Sequence, residues 1–364
     1  MIEFLTYISF GFIGMQLVNV VINFIFLEKI GTTKILNKKL ISVLIPARNE
    51  EKNIADLLST LSKIKNDNLE ILVYDDESTD NTAKIVKKFS INDNRIKLIN
   101  PNALPENWLG KNHACYQLSK KASGEYFLFI DADVKLHGNI ISDTVFYLEK
   151  YNLGLLSIFP IQIQKTIGEK VTVPIMNYIL LTLLPLILVR KSPFKSHSAA
   201  NGQFMLFKSD IYRKFSPHKL FKDCYVEDIV ISKFLKEQKI KIACITGENR
   251  VKCRMYNNYK EALNGFSKNI FMFYGNKPAL AFIFWIFACF GFVPVLIFKY
   301  SYLIIYLTLI VLIQILYSII GKQNIFLNII FFPLHLIFML QVMINGLKIQ
   351  KNKMFLWKQR NVYR

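Results

Sequence analysis

The stretch GEYFLFIDADVKL, Gly124–Leu136, decides how the rest of the chain is read. Tyr126 to Ile130 are all apolar or aromatic, as in a strand buried on both faces, and they run straight into Asp131 and Asp133. A buried strand that ends in two carboxylates points to a ligand at that end. In an extended segment residues i and i+2 share a side, so both aspartates can face one hard cation while Ala132 fills the space behind. Mg2+ or Mn2+, held by few protein oxygens plus phosphate oxygens, suits such a pair. The competing reading is a solvated turn after the strand.

Working outward, LISVLIPA (Leu40–Ala47), LEILVYDD (Leu69–Asp76) and RIKLIN are further strand candidates. Helical stretches alternate with them: NEEKNIADLLSTLSKI, with Asn49 as its cap and Ile54, Leu57, Leu58 and Leu61 on one face, then TAKIVKKFS and KNHACYQLSKKA. This alternation predicts a mostly parallel sheet covered by helices, with ligands at the carboxyl ends of its strands. Asp75–Asp76 is a second acidic strand end; alone it could be a helix cap, but two acidic ends in one sheet favour a shared ligand. Neither GxGxxG nor GxxxxGK[ST] occurs in the domain, which excludes a dinucleotide fingerprint and a P-loop. Glu227 and Asp228 stand at the start of a helix with Val230, Ile231, Phe234 and Leu235 on one side; acids there also complement the helix dipole. His113 and His197 have no metal-type partner at useful spacing and read as local hydrogen-bonding groups.

The chain has 364 residues and is 52% hydrophobic. Phe4–Leu27, Ala279–Phe298, Ser301–Ile320 and Ile325–Met343 are each near the ~20 residues of a membrane-spanning helix. The expected organisation is an anchor over 1–30, a catalytic domain over 38–275, about three spans over 279–346 and a basic tail over 347–364. The first run is too long for a signal core and lacks a small-residue cleavage site, so it reads as a retained anchor. Val171–Lys191 is long enough to span, but a crossing would separate Asp133 from Asp228, and Pro174 and Pro185 interrupt it. It is expected in the membrane interface, presenting an apolar acceptor.

Lys and Arg outnumber Asp and Glu by 46 to 26. Lys29, Lys34, Lys38, Lys39, Lys268, Lys277, Lys348, Lys351 and Lys353 flank the spans, so a membrane surface explains the charge better than nucleic acid does. The five cysteines show no CxxC or Cys/His zinc spacing, which fits a reducing compartment. The expected location is the inner cell membrane, multi-pass, with the domain cytoplasmic. Three spans after that domain leave the basic tail outside, against the positive-inside tendency.

PARNE (Pro46–Glu50), DDESTDNT (Asp75–Thr82), DAD (Asp131–Asp133) and ED (Glu227–Asp228), in that order, resemble the family 2 glycosyltransferases. LPENWLGKNHACYQL, AANGQFMLFKSD and the tail WKQR resemble its membrane-bound branch, which includes ceramide, hopanoid-associated and carotenoid glycosyltransferases. The resemblance covers about residues 40–275 and implies a GT-A α/β fold, Rossmann-like, between N- and C-terminal transmembrane helices. It implies that Pro46, Glu50 and Asp76 hold the uridine and ribose, with Asp131 near the nucleotide or sugar. Asp133 would bind a divalent cation, Mg2+ or Mn2+, and Lys111 would meet the phosphates. Asp228, beside Glu227, would be the general base, with Asn201, Gly202 and Gln203 on the acceptor side. Two departures stand out: Glu77 replaces a glycine of the usual DDGSTD, and no QxxRW is present. Lys268 in GFSKN, or the Cys253–Arg254–Met255 stretch, is the substitute cation. The implied activity is inverting transfer from a nucleotide sugar, UDP-hexose first, to a hydroxyl or carboxyl of a membrane lipid. A polyprenyl-phosphate sugar synthase or polysaccharide synthase of the same family is the alternative enzyme, and a non-catalytic membrane subunit the alternative class.

Overall fold

The computed structural model describes residues 1–33, 39–64, 68–352, 356–357 and 360–361. Lys34, Lys38, Lys353 and the centre of the WKQR motif lie outside them. The chain divides into two compact units.

The first unit, Glu28–Ile161 with Leu188–Arg254, is built on a seven-stranded sheet. Its strands are β1 (Ile41–Ala47), β2 (Leu69–Asp75), β3 (Ile96–Ile99), β4 (Tyr126–Ile130), β5 (Leu155–Phe159), β6 (Phe204–Lys208) and β7 (Ile242–Thr246). Their order is β3-β2-β1-β4-β6-β5-β7. β1 lies parallel to both β2 and β4, whereas β6 runs antiparallel to β4 and β5. The expected strands are all present, and β4 and β5 are buried at every position. Chain order reverses on either side of β1, and at such a switch point the carboxyl ends of neighbouring strands open a crevice. With adjacent strands about 4.8 Å apart, the ends of β2 and β4 stand about 10 Å apart, a span that a nucleotide can bridge.

Asn49 does not cap the first helix. The helix begins only at Ile54, with Ile54, Leu57, Leu58 and Leu61 fully buried as its spacing predicts. Asn49 instead takes a left-handed φ of 52° and crosses to the loop after β2, where its Oδ1 accepts the Thr79 N–H at 2.8 Å. The Asn49 N–H donates to Ser78 Oγ at 2.9 Å, so two loops lock side by side. Glu77 sits between them at φ 54°. The glutamate has therefore adopted the backbone state that a glycine would take without strain.

The second unit, Met1–Leu27 with Gln162–Ile187 and Met255–Met354, gathers the apolar helices. Among the described residues three are long and apolar enough to cross a membrane: Ile2–Ile25, Ser301–Ile320 and Phe332–Asn352. The expected run over 279–298 is instead a bent pair, Pro278–Phe290 and Phe292–Phe298, at 44°. Gly291 and Pro294 account for the bend, since a proline inside a helix removes a hydrogen bond. The expected span from Ile325 breaks likewise: a short helix Ile325–Ile330 ends at Phe331, and Pro333 opens the longer one.

Residues 162–187 belong to this second unit rather than to the sheet. The helix Pro174–Leu183 packs on the N-terminal helix, with Ile175, Tyr178, Ile179, Leu180 and Leu181 buried. Its far end is held by polar side chains of that helix at positions 16, 19 and 23, one stripe in helical register. Tyr178 Oη donates to Gln16 Oε1 at 2.8 Å, and Asn19 Nδ2 to Thr182 O at 2.7 Å. Asn23 Nδ2 donates to Leu181 O and Leu184 O, both at 2.9 Å, while its Oδ1 accepts the Leu186 N–H at 2.6 Å. One side chain thus satisfies three backbone groups where the helix stops. The expected apolar apron is therefore largely consumed in packing against its neighbours.

Two stability outcomes follow. Asn23→Leu leaves those backbone groups without partners and should cost about 1–3 kcal/mol, read as earlier melting in detergent micelles; melting as in the wild type overturns the clamp. Glu77→Gly should raise stability by about 0.5–1 kcal/mol by relieving the left-handed conformation, checked by the same melting curve; a loss instead would mean that the glutamate side chain matters more than its backbone.

Candidate active site

Three segments far apart in sequence meet at the carboxyl end of β4. The strand stops at Ile130 and the chain turns: the Val134 N–H reaches back to Asp131 O at 3.2 Å. The expectation that strand alternation puts Asp131 and Asp133 on one side therefore fails in its premise, and a turn positions them instead. That turn is pinned on two sides. The Asp131 N–H donates to Gln203 O at 3.2 Å. Beyond it, Val134–Leu136 pairs antiparallel with Val251–Cys253, with Val134 opposite Cys253.

Lys111 arrives on the first turn of the helix Gly110–Lys121. Its Nζ lies 3.0 Å from Asp131 Oδ1 and 3.2 Å from Glu227 Oε1. Burial opposes the ammonium charge, but the Asp131 and Glu227 carboxylates outweigh it and hold the lysine protonated well above its usual range.

Glu227 and Asp228 open the helix Glu227–Glu237. Asp228 Oδ2 accepts the Gly202 N–H at 2.8 Å, and its Oδ1 accepts the Ile229 N–H at 2.8 Å. Burial first, and the Glu227 charge second, push the Asp228 carboxyl up to about 6, against the pull of Lys111 and the two backbone N–H groups. A carboxylate tuned toward neutrality beside a lysine bridge is what a proton-accepting site needs.

The stretch Asn201–Gln203 threads between these groups. A Cβ built on Gly202 would stand 3.1 Å from Lys111 Nζ, 3.2 Å from Glu227 Oε1 and 3.6 Å from Asp228 Oδ2. A side chain there would press on the tips of Lys111 and Glu227, a matter of close approach rather than of an unusual φ. Asn201 and Gln203 are buried, and their side chains turn inward. Asn201 Oδ1 accepts the Gln203 N–H at 2.9 Å, while Gln203 Nε2 donates to Cys253 Sγ at 2.9 Å. Upstream, Lys236 ties down the loop that leads here. Its ammonium donates to Ser192 O at 2.9 Å, His197 O at 2.6 Å, Leu188 O at 3.2 Å and Phe194 O at 3.4 Å. Burial pulls Lys236 down to about 8, and the four carbonyls work in the opposite direction by favouring the charged form.

On the other side of β1 lie the expected nucleotide-side residues. Pro46 is paired with Tyr74, and Ala47 with Asp75, in the β1–β2 register. The Asp76 N–H donates to Ala47 O at 2.8 Å, and the Asp76 side chain is buried. Glu50 receives the Asn53 amide at 2.8 Å, and its N–H donates to Thr82 Oγ1 at 2.7 Å. Pro46, Glu50 and Asp76 thus cluster at the ends of β1 and β2, next along the sheet from the aspartates on β4. Lys268 belongs to the other compact unit, just past the helix Tyr259–Ser267, whereas Arg254 closes the unit that holds the aspartates. His113 pairs with Gln117 at 3.1 Å and meets Tyr74 and Trp108 edge-on, and His197 Nδ1 meets Ser192 Oγ at 2.8 Å.

Among the described residues no group of three His, Cys, Asp or Glu side chains could hold a metal by itself. Asp131 and Asp133 offer two hard oxygen donors, a set that fits a cation completed by phosphate oxygens. Lys236 and the Gln203–Cys253 contact were missed in the sequence. Neither carries a local motif, because both act across long separations.

Comparison with known proteins gives this geometry its lineage. A family model described as "Glycosyl transferase family 2" matches residues 42–215. A 4,4'-diaponeurosporenoate glycosyltransferase of Staphylococcus haemolyticus is 28% identical over 240 residues, 63% of this chain and 60% of that protein. Its Staphylococcus aureus counterpart is 27% identical over 260 residues, 69% and 67% of the two chains. The chain thus spans about two thirds or less of the curated relatives that it matches. Among solved structures, a mannosyltransferase from Pyrobaculum calidifontis, in complex with GDP-Man and Mn2+, has a TM-score of 0.58 at 13% identity and covers 95% of this chain and 99% of its own. That likeness concerns the fold, which is GT-A. Residues 42–215 thus form a glycosyltransferase family 2 domain.

Proposed function

We propose that this chain transfers a sugar from a nucleotide sugar, UDP-hexose being the first to test, to a hydroxyl or carboxyl of a membrane lipid, by a single inverting displacement. The observation that carries the reading is the convergence of Lys111, Glu227 and Asp228 on Gly202, at the end of the strand that bears Asp131 and Asp133. Pro46, Glu50 and Asp76 hold the nucleoside, and Lys111 offers positive charge to the diphosphate as it leaves. A divalent cation, Mg2+ or Mn2+, held by Asp133 with Asp131 beside it, would add charge neutralisation of the leaving group. Asp228 takes the proton of an acceptor hydroxyl as it attacks from the face opposite the leaving group. A lipid acceptor is supported by the three span-length helices and by relatives that are 4,4'-diaponeurosporenoate glycosyltransferases. Basic residues flanking those helices, Lys29, Lys39 and Lys277 among them, favour a cytoplasmic face for the sheet unit.

The test is transfer of labelled sugar, from a panel of nucleotide sugars, into organic-extractable lipid in inside-out vesicles. Label that needs Mn2+ or Mg2+ and disappears in Asp133→Asn is the expected result. Donors that neither bind nor transfer would sink the reading.

The pH profile separates the two acceptor chemistries. A base must be deprotonated to work, so with a hydroxyl acceptor kcat should rise through about pH 6, following the raised Asp228 carboxyl, and level off above it. Asp228→Asn should abolish that limb and lower kcat by about 10²–10⁴. A carboxylate acceptor carries no proton to remove, and there Asp228→Asn should cost far less.

A further inference from the structure

The Cys253 thiol is fully buried and stands beside the acidic turn in an arrangement that the transfer chemistry does not use directly. It lies within side-chain hydrogen-bonding reach of the Asp133 carboxylate, and the Asp131 carboxylate lies near enough to act on it electrostatically. From behind, Gln203 Nε2 donates to its Sγ at 2.9 Å. Gln203 also receives the Asp131 N–H on its carbonyl at 3.2 Å, so one glutamine holds the backbone of the first aspartate and, through the thiol, the side chain of the second. Asn201 Oδ1 fixes Gln203 in turn, accepting its N–H at 2.9 Å. Asn201 and Gln203 stand just before β6, and Cys253 ends the strand Val251–Cys253, whose register sets it directly opposite Val134. A thiol in this place can give its S–H to a carboxylate while it accepts from an amide.

We propose that Gln203 and Cys253 form a relay of positioning residues that orients Asp133 toward the divalent cation of the donor complex. This rests on the donor reading above and assigns Gln203 to the donor side of the site rather than to the acceptor side. The relay acts only through Asp133. Asp133 lies in a turn with no sheet ladder of its own, so its carboxylate direction depends on what stands behind it. Partners that orient a metal-bound carboxylate commonly change metal affinity 10–100-fold when removed.

The experiment measures Mn2+ binding by the electron paramagnetic resonance signal of free Mn2+, on the full chain in detergent with saturating UDP. Cys253→Val and Cys253→Ala remove the donor, and Cys253→Ser keeps one; melting curves identify which proteins are folded. Expected is a Mn2+ Kd raised about tenfold or more in the Val and Ala variants, with partial recovery in Ser and UDP binding without metal unchanged. Gln203→Leu should weaken Mn2+ in the same direction. A folded Val or Ala variant that binds Mn2+ within twofold of the wild type overturns the relay while leaving the donor reading intact. A wild-type protein that binds neither UDP nor Mn2+ overturns the donor reading itself.

Discussion

The site depends on one ammonium group. Asp131, Glu227 and Asp228 come from two segments nearly a hundred residues apart, and bringing like charges together carries an electrostatic cost that the fold has to offset. Lys111, 3.0 Å from Asp131 and 3.2 Å from Glu227, stands between the two clusters and makes their approach favourable. It comes from the helix that follows β3 and lies against β1 and β2, so the sheet decides where its charge falls. Gly202 completes the arrangement by omission, because any side chain there would crowd the lysine and the glutamate together.

The segment that supplies Gly202 has an unusual course. It leaves the sheet unit after β5, joins the apolar helices over 162–187, and returns to the sheet unit before Asn201. Each leg is fastened by a single polar side chain that serves several backbone groups. Asn23 holds the end of the helix Pro174–Leu183 in one unit, and Lys236 gathers four carbonyls between Leu188 and His197 in the other. The backbone that supplies Gly202 is thus continuous with a segment packed among apolar helices.

Periodicity carried much of this into the sequence. The buried strands, the apolar face of Ile54, Leu57, Leu58 and Leu61, and the acidic ends of β2 and β4 are local features, and the order of short motifs disclosed the family. The failures share a cause. Asn49 looked like a cap because caps are usually read from the next few residues, yet its partners are Ser78 and Thr79, reached through sheet pairing. Asp131 and Asp133 looked like alternating strand positions because nothing local announces that β4 stops at Ile130; the antiparallel partners Gln203 and Cys253 decide that. The run from Ile325 looked continuous because its hydropathy is, while Pro333 broke it through a backbone effect that hydropathy ignores. Lys236 carries no motif in the sequence, and only the fold closes a ring of carbonyls around it.

In the proposed reaction the lysine bridge would also link donor binding to proton removal. Lys111 lowers the Asp228 carboxyl while burial and Glu227 raise it, so the base is set by a balance rather than by any one neighbour. A diphosphate that shares the ammonium takes part of that positive charge away from the acids. The same balance then shifts toward Glu227 and burial, and Asp228 becomes a stronger base. Donor occupancy and base strength are therefore not independent in this geometry. The coupling runs through the Lys111 ammonium, which acts on Asp228 directly as well as on Glu227 at 3.2 Å, and it vanishes if the lysine loses its charge.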